Sequence, residues 1–85
     1  MAVTLLKAGD HLSLEFDNDD LERVGECIRD LYPNVTSRWA GIFKVYCFGG
    51  CEFTFQNEWD DPCLIASSDE GHEILRVLHA RLTSN

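Results

Sequence analysis

Two runs of strand-forming residues, Ile42 to Cys47 and Cys51 to Gln56, flank the stretch Phe48-Gly49-Gly50 and constrain the fold more than any other feature. Both are rich in aromatic and β-branched side chains, and so short a connection returns the chain antiparallel to itself. A hairpin therefore sits at the centre of the fold, and its register decides which side chains face the core. A two-residue Gly49-Gly50 loop pairs Tyr46 with Phe53 but sets Lys44 beside Phe55 and Phe43 beside Gln56, mixing polar and apolar residues on both faces. A three-residue Phe48-Gly49-Gly50 loop pairs Cys47 with Cys51, Val45 with Phe53 and Phe43 with Phe55. Tyr46 and Glu52, Lys44 and Thr54, and Ile42 and Gln56 then oppose one another on the other face. The three-residue loop separates the faces, so it is the predicted register, with Gly50 in the left-handed position.

In that register the two sulfurs share the apolar face, with Cα atoms about 5.5 Å apart, a separation that permits a disulfide. Three readings follow: free buried thiols, a disulfide or redox pair, and a metal clip. A redox pair normally uses a tighter Cys-x-x-Cys at a helix start, and a structural zinc needs four ligands, so that Cys63 and Cys27 or a His would have to converge here. Met1 to Lys7 lacks the basic head and apolar run of a signal peptide, and no apolar stretch approaches the roughly 18 residues of a membrane span. The expectation is a cytoplasmic, reducing location, with no membrane partner and the cysteines acting as small buried hydrophobes without a cofactor.

Around this hairpin the chain alternates strands and helices. Val3 to Leu6 is β-prone, Gly9-Asp10 signals a turn, and Leu12, Leu14 and Phe16 alternate with Ser13 and Glu15. Asp17-Asn18-Asp19-Asp20 then supplies cap candidates and first-turn acids for a helix whose stripe is Leu21, Val24, Cys27, Ile28 and Leu31, ending near Tyr32 because Pro33 follows. Val35 to Ala40 is an extended segment with Gly41 as a bend, and Cys63 to Ala66 is a short strand. Ser67-Ser68-Asp69-Glu70 matches a capping box, Ser67 bonding forward and Glu70 back, before a helix that turns Ile74, Leu75, Leu78 and Leu82 inward. The prediction is a single compact α+β domain spanning residues 1–85. Its order is β(β)αβββα, a mainly antiparallel sheet of four to five strands with two helices packed on one face. At this length one core can form, with few unsatisfied groups tolerated.

Charge directs the functional reading. Fifteen acidic against seven basic residues give a formal charge of −8, and no Lys or Arg lies between Lys44 and Arg76. Such a chain repels phosphate backbones, which argues against direct nucleic-acid binding, and attracts basic proteins. Acidity for solubility alone, common in small bacterial-type proteins, is the plainer explanation.

The most suggestive segment is Glu58-Trp59-Asp60-Asp61-Pro62, an aromatic flanked by carboxylates on a turn. Trp supplies anchor area at interfaces and the acids pair with a partner's Lys or Arg. Alternatively, Trp59 folds back as a lid over the core while the acids stay solvated. The run Asp17, Asp19 and Asp20 lacks the glycine and distal glutamate of a calcium loop, and helix capping accounts for it; it joins the acidic turn as a candidate partner-binding surface. His11, His72 and His79 are the imidazoles, and the latter two are expected at the surface or rim of the last helix. No cysteine sits at a predicted helix start, where a nucleophile would be activated. The leading expectation is a non-enzymatic, acidic protein-binding module: an inhibitor or immunity-type protein occluding a basic surface or active site of a nuclease toxin. Two alternatives stand beside it, a regulatory domain binding a metal or small molecule through its cysteines and a minimal enzyme.

Overall fold

A computed structural model describes residues 2–84. Among them lie six strands and two α-helices: β1 (Thr4–Ala8), β2 (His11–Glu15), α1 (Leu21–Leu31), β3 (Thr36–Ala40), β4 (Phe43–Phe48), β5 (Cys51–Glu58), β6 (Asp61–Ala66) and α2 (Asp69–Thr83), with a 3₁₀ turn at Asn18–Asp20 before α1. The strands form one antiparallel sheet in the order β1-β2-β6-β5-β4-β3. The α+β class matches the sequence reading, but the sheet has six strands rather than four or five. Within the extended segment Val35 to Ala40, Thr36–Ala40 becomes an edge strand, paired along its length with β4. No helix among the described residues is long and apolar enough to cross a membrane.

Four two-residue turns build the sheet. In the β4–β5 turn Gly49 and Gly50 both have positive φ, 62° and 77°, the pair of left-handed conformations that a two-residue turn matched to strand twist demands. The chain therefore adopts the register that the sequence argument set aside: Phe48 pairs with Cys51, Tyr46 with Phe53 and Lys44 with Phe55. The reason lies in Phe48. Treated as a loop residue it buries nothing, whereas in the strand it is buried, stacks on Phe53 at 4.2 Å between ring centroids and tilts against Tyr32 at 5.2 Å. Burying one phenyl ring contributes about 2–3 kcal/mol, more than the penalty for placing one lysine among aromatics. Lys44 sits beyond the helices, its ammonium over the rings of Trp39 and Tyr46.

The correction reverses the cysteine geometry as well. Cys51 shares a face with Phe48, while Cys47 pairs with Glu52 on the other face. Successive side chains in a strand point to opposite sides, so these two cysteines cannot form the intrahairpin bridge that the three-residue loop allowed, and all four cysteines are free thiols. Val45 and Cys47, expected on the core face, lie on the opposite face of the sheet; Val45 is still buried there, outside the core cluster, and Cys47 is half-buried.

The core forms between the other face and both helices, from Leu12, Leu14, Phe16, Phe48, Phe53 and Leu64 of the sheet, Val24, Cys27 and Ile28 of α1, and Leu75, Leu78 and Leu82 of α2. The α2 cap falls one residue later than the capping box implied: the Ser68 side chain accepts from the Gly71 N–H at 3.0 Å. His72, expected at the surface, is buried, and its Nε2 lies 3.2 Å from the Ala66 carbonyl; His79 Nε2 meets the Val3 carbonyl at 3.2 Å. Both imidazoles fasten α2 to the sheet side of the core.

Gly49 also tests the turn. A Cβ there would approach Ile74 Cδ1 to 2.5 Å and Tyr32 Cε1 to 3.1 Å, whereas a Cβ at Gly50 would meet nothing within 4 Å. Gly49→Ala is expected to lower unfolding free energy by about 2 kcal/mol and Gly50→Ala by about 1 kcal/mol, since both carry left-handed strain but only the first adds a steric clash. Urea unfolding of the two variants measures the difference.

Candidate functional site

The β3–β4 turn (Gly41-Ile42) and the β5–β6 turn (Trp59-Asp60) emerge at the same end of the antiparallel sheet, where β2 also hands over to the 3₁₀ turn. The two acidic segments singled out from sequence meet there, although some forty residues separate them in the chain. Asn18 Nδ2 donates to Asp60 Oδ1 at 3.0 Å, Asn57 Nδ2 donates to Asn18 Oδ1 at 3.1 Å, and the Phe16 N–H donates to the Pro62 carbonyl at 3.2 Å. The Asn57–Asn18–Asp60 chain fixes the β5–β6 turn against the start of α1. Asp17, Asp19, Glu58, Trp59, Asp60 and Asp61 are all exposed and Asp20 is half-buried.

Trp59 is 95% exposed and does not form a lid over the core. Its backbone is also unusual. Trp59 and Asp60 both have φ of 57°, the only non-glycine residues with positive φ among those described, in a two-residue turn where Asn-Gly or Gly-Gly is the ordinary choice. A bulky residue in the left-handed region is an outlier costing on the order of 1 kcal/mol or more. The indole itself does not repay that strain, because it lies in solvent; the turn is held by Asp60 through Asn18 and by the β5–β6 pairing.

Other apolar groups extend the surface. Trp39 is 71% and Ile42 81% exposed, and with Lys44, Asn57 and Glu58 they line a shallow hollow of about 450 Å³ beside the acidic turn. Six carboxylates and two indoles thus occupy one end of the molecule, with Lys44 among them held over Trp39. The acids near α1 sit at the helix amino terminus, where the dipole favours negative charge, although neither Asp17 nor Asp20 makes a side-chain cap hydrogen bond. Capping in the strict sense therefore does not account for them.

Of the two amides that hold the site together, sequence reasoning read Asn18 only as part of a cap run and missed Asn57. Side-chain amides carry no chemical signature of their own; only the hairpin register, which sets Asn57 of β5 opposite Pro62, would have brought them to notice.

The cysteine chemistry does not assemble. Cys47 and Cys51 face opposite ways, and no group of three or more His, Cys, Asp or Glu side chains among the described residues is placed to hold a metal ion. Burial raises the Cys27 and Cys63 thiols above their ordinary pKa, and Glu15 and Asp61 push Cys63 further in the same direction. That is the opposite of an activated nucleophile.

No protein family, curated protein or solved structure matches the chain.

Proposed function

We propose that this protein is an acidic binding module whose Trp59 end occludes a basic surface of a protein partner, as an inhibitor or immunity-type protein of a nuclease toxin does. The observation that supports this reading is the exposed Trp59 on a strained turn held by Asn18, at the end of the sheet that also carries Asp17, Asp19, Asp20, Glu58, Asp60 and Asp61. An aromatic anchor inside a charged rim is the usual anatomy of an interface hot spot. The fixed turn matters energetically, because a preformed anchor has less conformational freedom to lose on binding. A partner's Lys and Arg side chains would find complementary carboxylates at this end of the molecule. A nuclease's substrate-binding surface is rich in such cations, since it must neutralise phosphates.

The test is to mix the protein with a panel of basic nucleases, including any encoded beside it, and to assay nucleic-acid cleavage. Stoichiometric inhibition is the expected result. Electrostatic steering acts on association, so raising the salt from about 0.05 M to about 0.5 M is expected to slow association at least about tenfold and to alter dissociation much less. Stopped-flow mixing reads the two rates separately. Association indifferent to salt, or cleavage unaffected by excess protein, would remove this function.

A further inference from the structure

We infer that the edge strand β3 is a self-association edge, through which two copies pair antiparallel about a twofold axis at Ser37. This inference does not rest on Trp59 or the acidic turn, and shares only Trp39 with that end of the molecule. All five residues of β3 are exposed and the strand carries no proline, leaving a row of open main-chain groups of the kind that natural proteins usually blunt. The two-residue β3–β4 turn closes on the Ala40·Phe43 pair, and alternation of hydrogen-bonded pairs along the ladder then leaves the N–H and C=O of Ser37 and Trp39 pointing outward.

Charge selects a second copy as the occupant. Fifteen acids are spread over 85 residues, yet residues 31–51 contain no Asp or Glu. That stretch comprises β3 and β4, so this edge is where two molecules of net charge −8 can approach with least repulsion. Antiparallel pairing also places the two acidic ends at opposite extremes of the doubled sheet. The cation on the edge, Arg38, is already paired with Glu52 at 2.7 Å. An axis at Ser37 sets Arg38 against the partner's Thr36 rather than against another arginine, avoiding a like-charge pair.

Shape points the same way. Six strands span about 24 Å between outer axes, while two helices side by side cover about 20 Å, so β3 overhangs the helical layer. Beneath the overhang an apolar groove of about 400 Å³ runs between α1 and the sheet, with Ile28 and Val24 on one wall, Tyr46 and Phe55 on its floor, and Val35 and Ser37 at its mouth. Trp39 lies on the same face of the sheet as Tyr46 and Phe55. Pairing about Ser37 places Trp39 opposite the partner's Val35, so each indole covers the mouth of the other copy's groove. The contact is self-complementary, as a twofold interface must be.

Sedimentation equilibrium of the full chain over a concentration range of about 1–500 µM tests the inference. The weight-average mass is expected to rise towards twice the monomer value, and Trp39→Glu, at a residue 71% exposed, is expected to weaken dimerisation at least about tenfold while leaving the circular dichroism spectrum unchanged. A wild-type protein that stays monomeric throughout, or a Trp39→Glu variant that dimerises as the wild type does, would overturn it.

Discussion

Replacing Trp59 by asparagine is expected to raise the unfolding free energy by about 0.5–1 kcal/mol while reducing affinity for the basic partner at least about 30-fold. Asparagine tolerates the left-handed region that Trp59 occupies and is a favoured first residue of such a turn, so the substitution relieves strain. The indole contributes little packing in return, being 95% exposed. Binding loses a buried aromatic anchor, and truncations of that kind cost about 2 kcal/mol or more at hot spots. Opposite signs for stability and affinity are the signature of a residue kept for an interaction rather than for the fold. Urea denaturation and isothermal titration give the two numbers. A variant less stable than wild type would show that Trp59 packs on the protein, and unchanged affinity would show that the indole is not the anchor.

Phe48→Ala is expected to destabilise the protein by about 3–4 kcal/mol, the range for truncating a buried aromatic. Phe48 is almost wholly enclosed and touches two rings, Phe53 in a near-parallel stack and Tyr32 at a tilt. The same substitution at an exposed hairpin loop position would cost well under about 1 kcal/mol. The measurement therefore decides between the two registers of the central hairpin. Val45→Ala is the companion: on the face opposite the core it should cost about 1 kcal/mol, whereas in the three-residue-loop register Val45 would be the core residue and the larger loss would move there. With a total stability of about 5–10 kcal/mol expected for a domain of this size, the loss at Phe48 is large enough to shift the urea midpoint clearly.

The hairpin shows where sequence reasoning reaches and where it stops. The strands themselves were legible because aromatic and β-branched runs bounded by Gly-Gly leave few alternatives, and α1 was legible from Leu21, Val24, Cys27 and Ile28 with Pro33 beyond its end. Register is not legible from the polarity of paired residues alone, because it also depends on the width of the helical layer. Lys44 is tolerable on the helix face only because the sheet is wider than its cover, and that width depends on β3, whose polar, fully exposed sequence Thr36-Ser37-Arg38-Trp39-Ala40 has no buried side to announce it. The imidazoles divide: His79 is half-buried at the rim as expected, whereas His72 is buried, its Nε2 beside the Ala66 carbonyl, a partner that helical periodicity does not reveal.

At the acidic end, composition identified the right residue types but not their meeting. Asp17, Asp19 and Asp20 were readable as the start of a helix and Glu58 to Asp61 as a turn, and antiparallel connectivity brings them to one end of the sheet. The decisive property of Trp59, an indole held outward on left-handed backbone, depends on turn type. Turn type follows from register, which places Glu58 opposite Asp61 with two residues between them.

The most direct measurement of the central claim is a pull-down from native extract with three baits in parallel: the wild type, Trp59→Asn, and a variant carrying Asp17→Asn, Asp60→Asn and Asp61→Asn together. The account expects the wild type to retain a basic protein that elutes as salt is raised and that both variants retain at least about 30-fold less, with all three baits equally folded. Recovery of the same proteins by all three baits, or of no basic protein by the wild type, would contradict it.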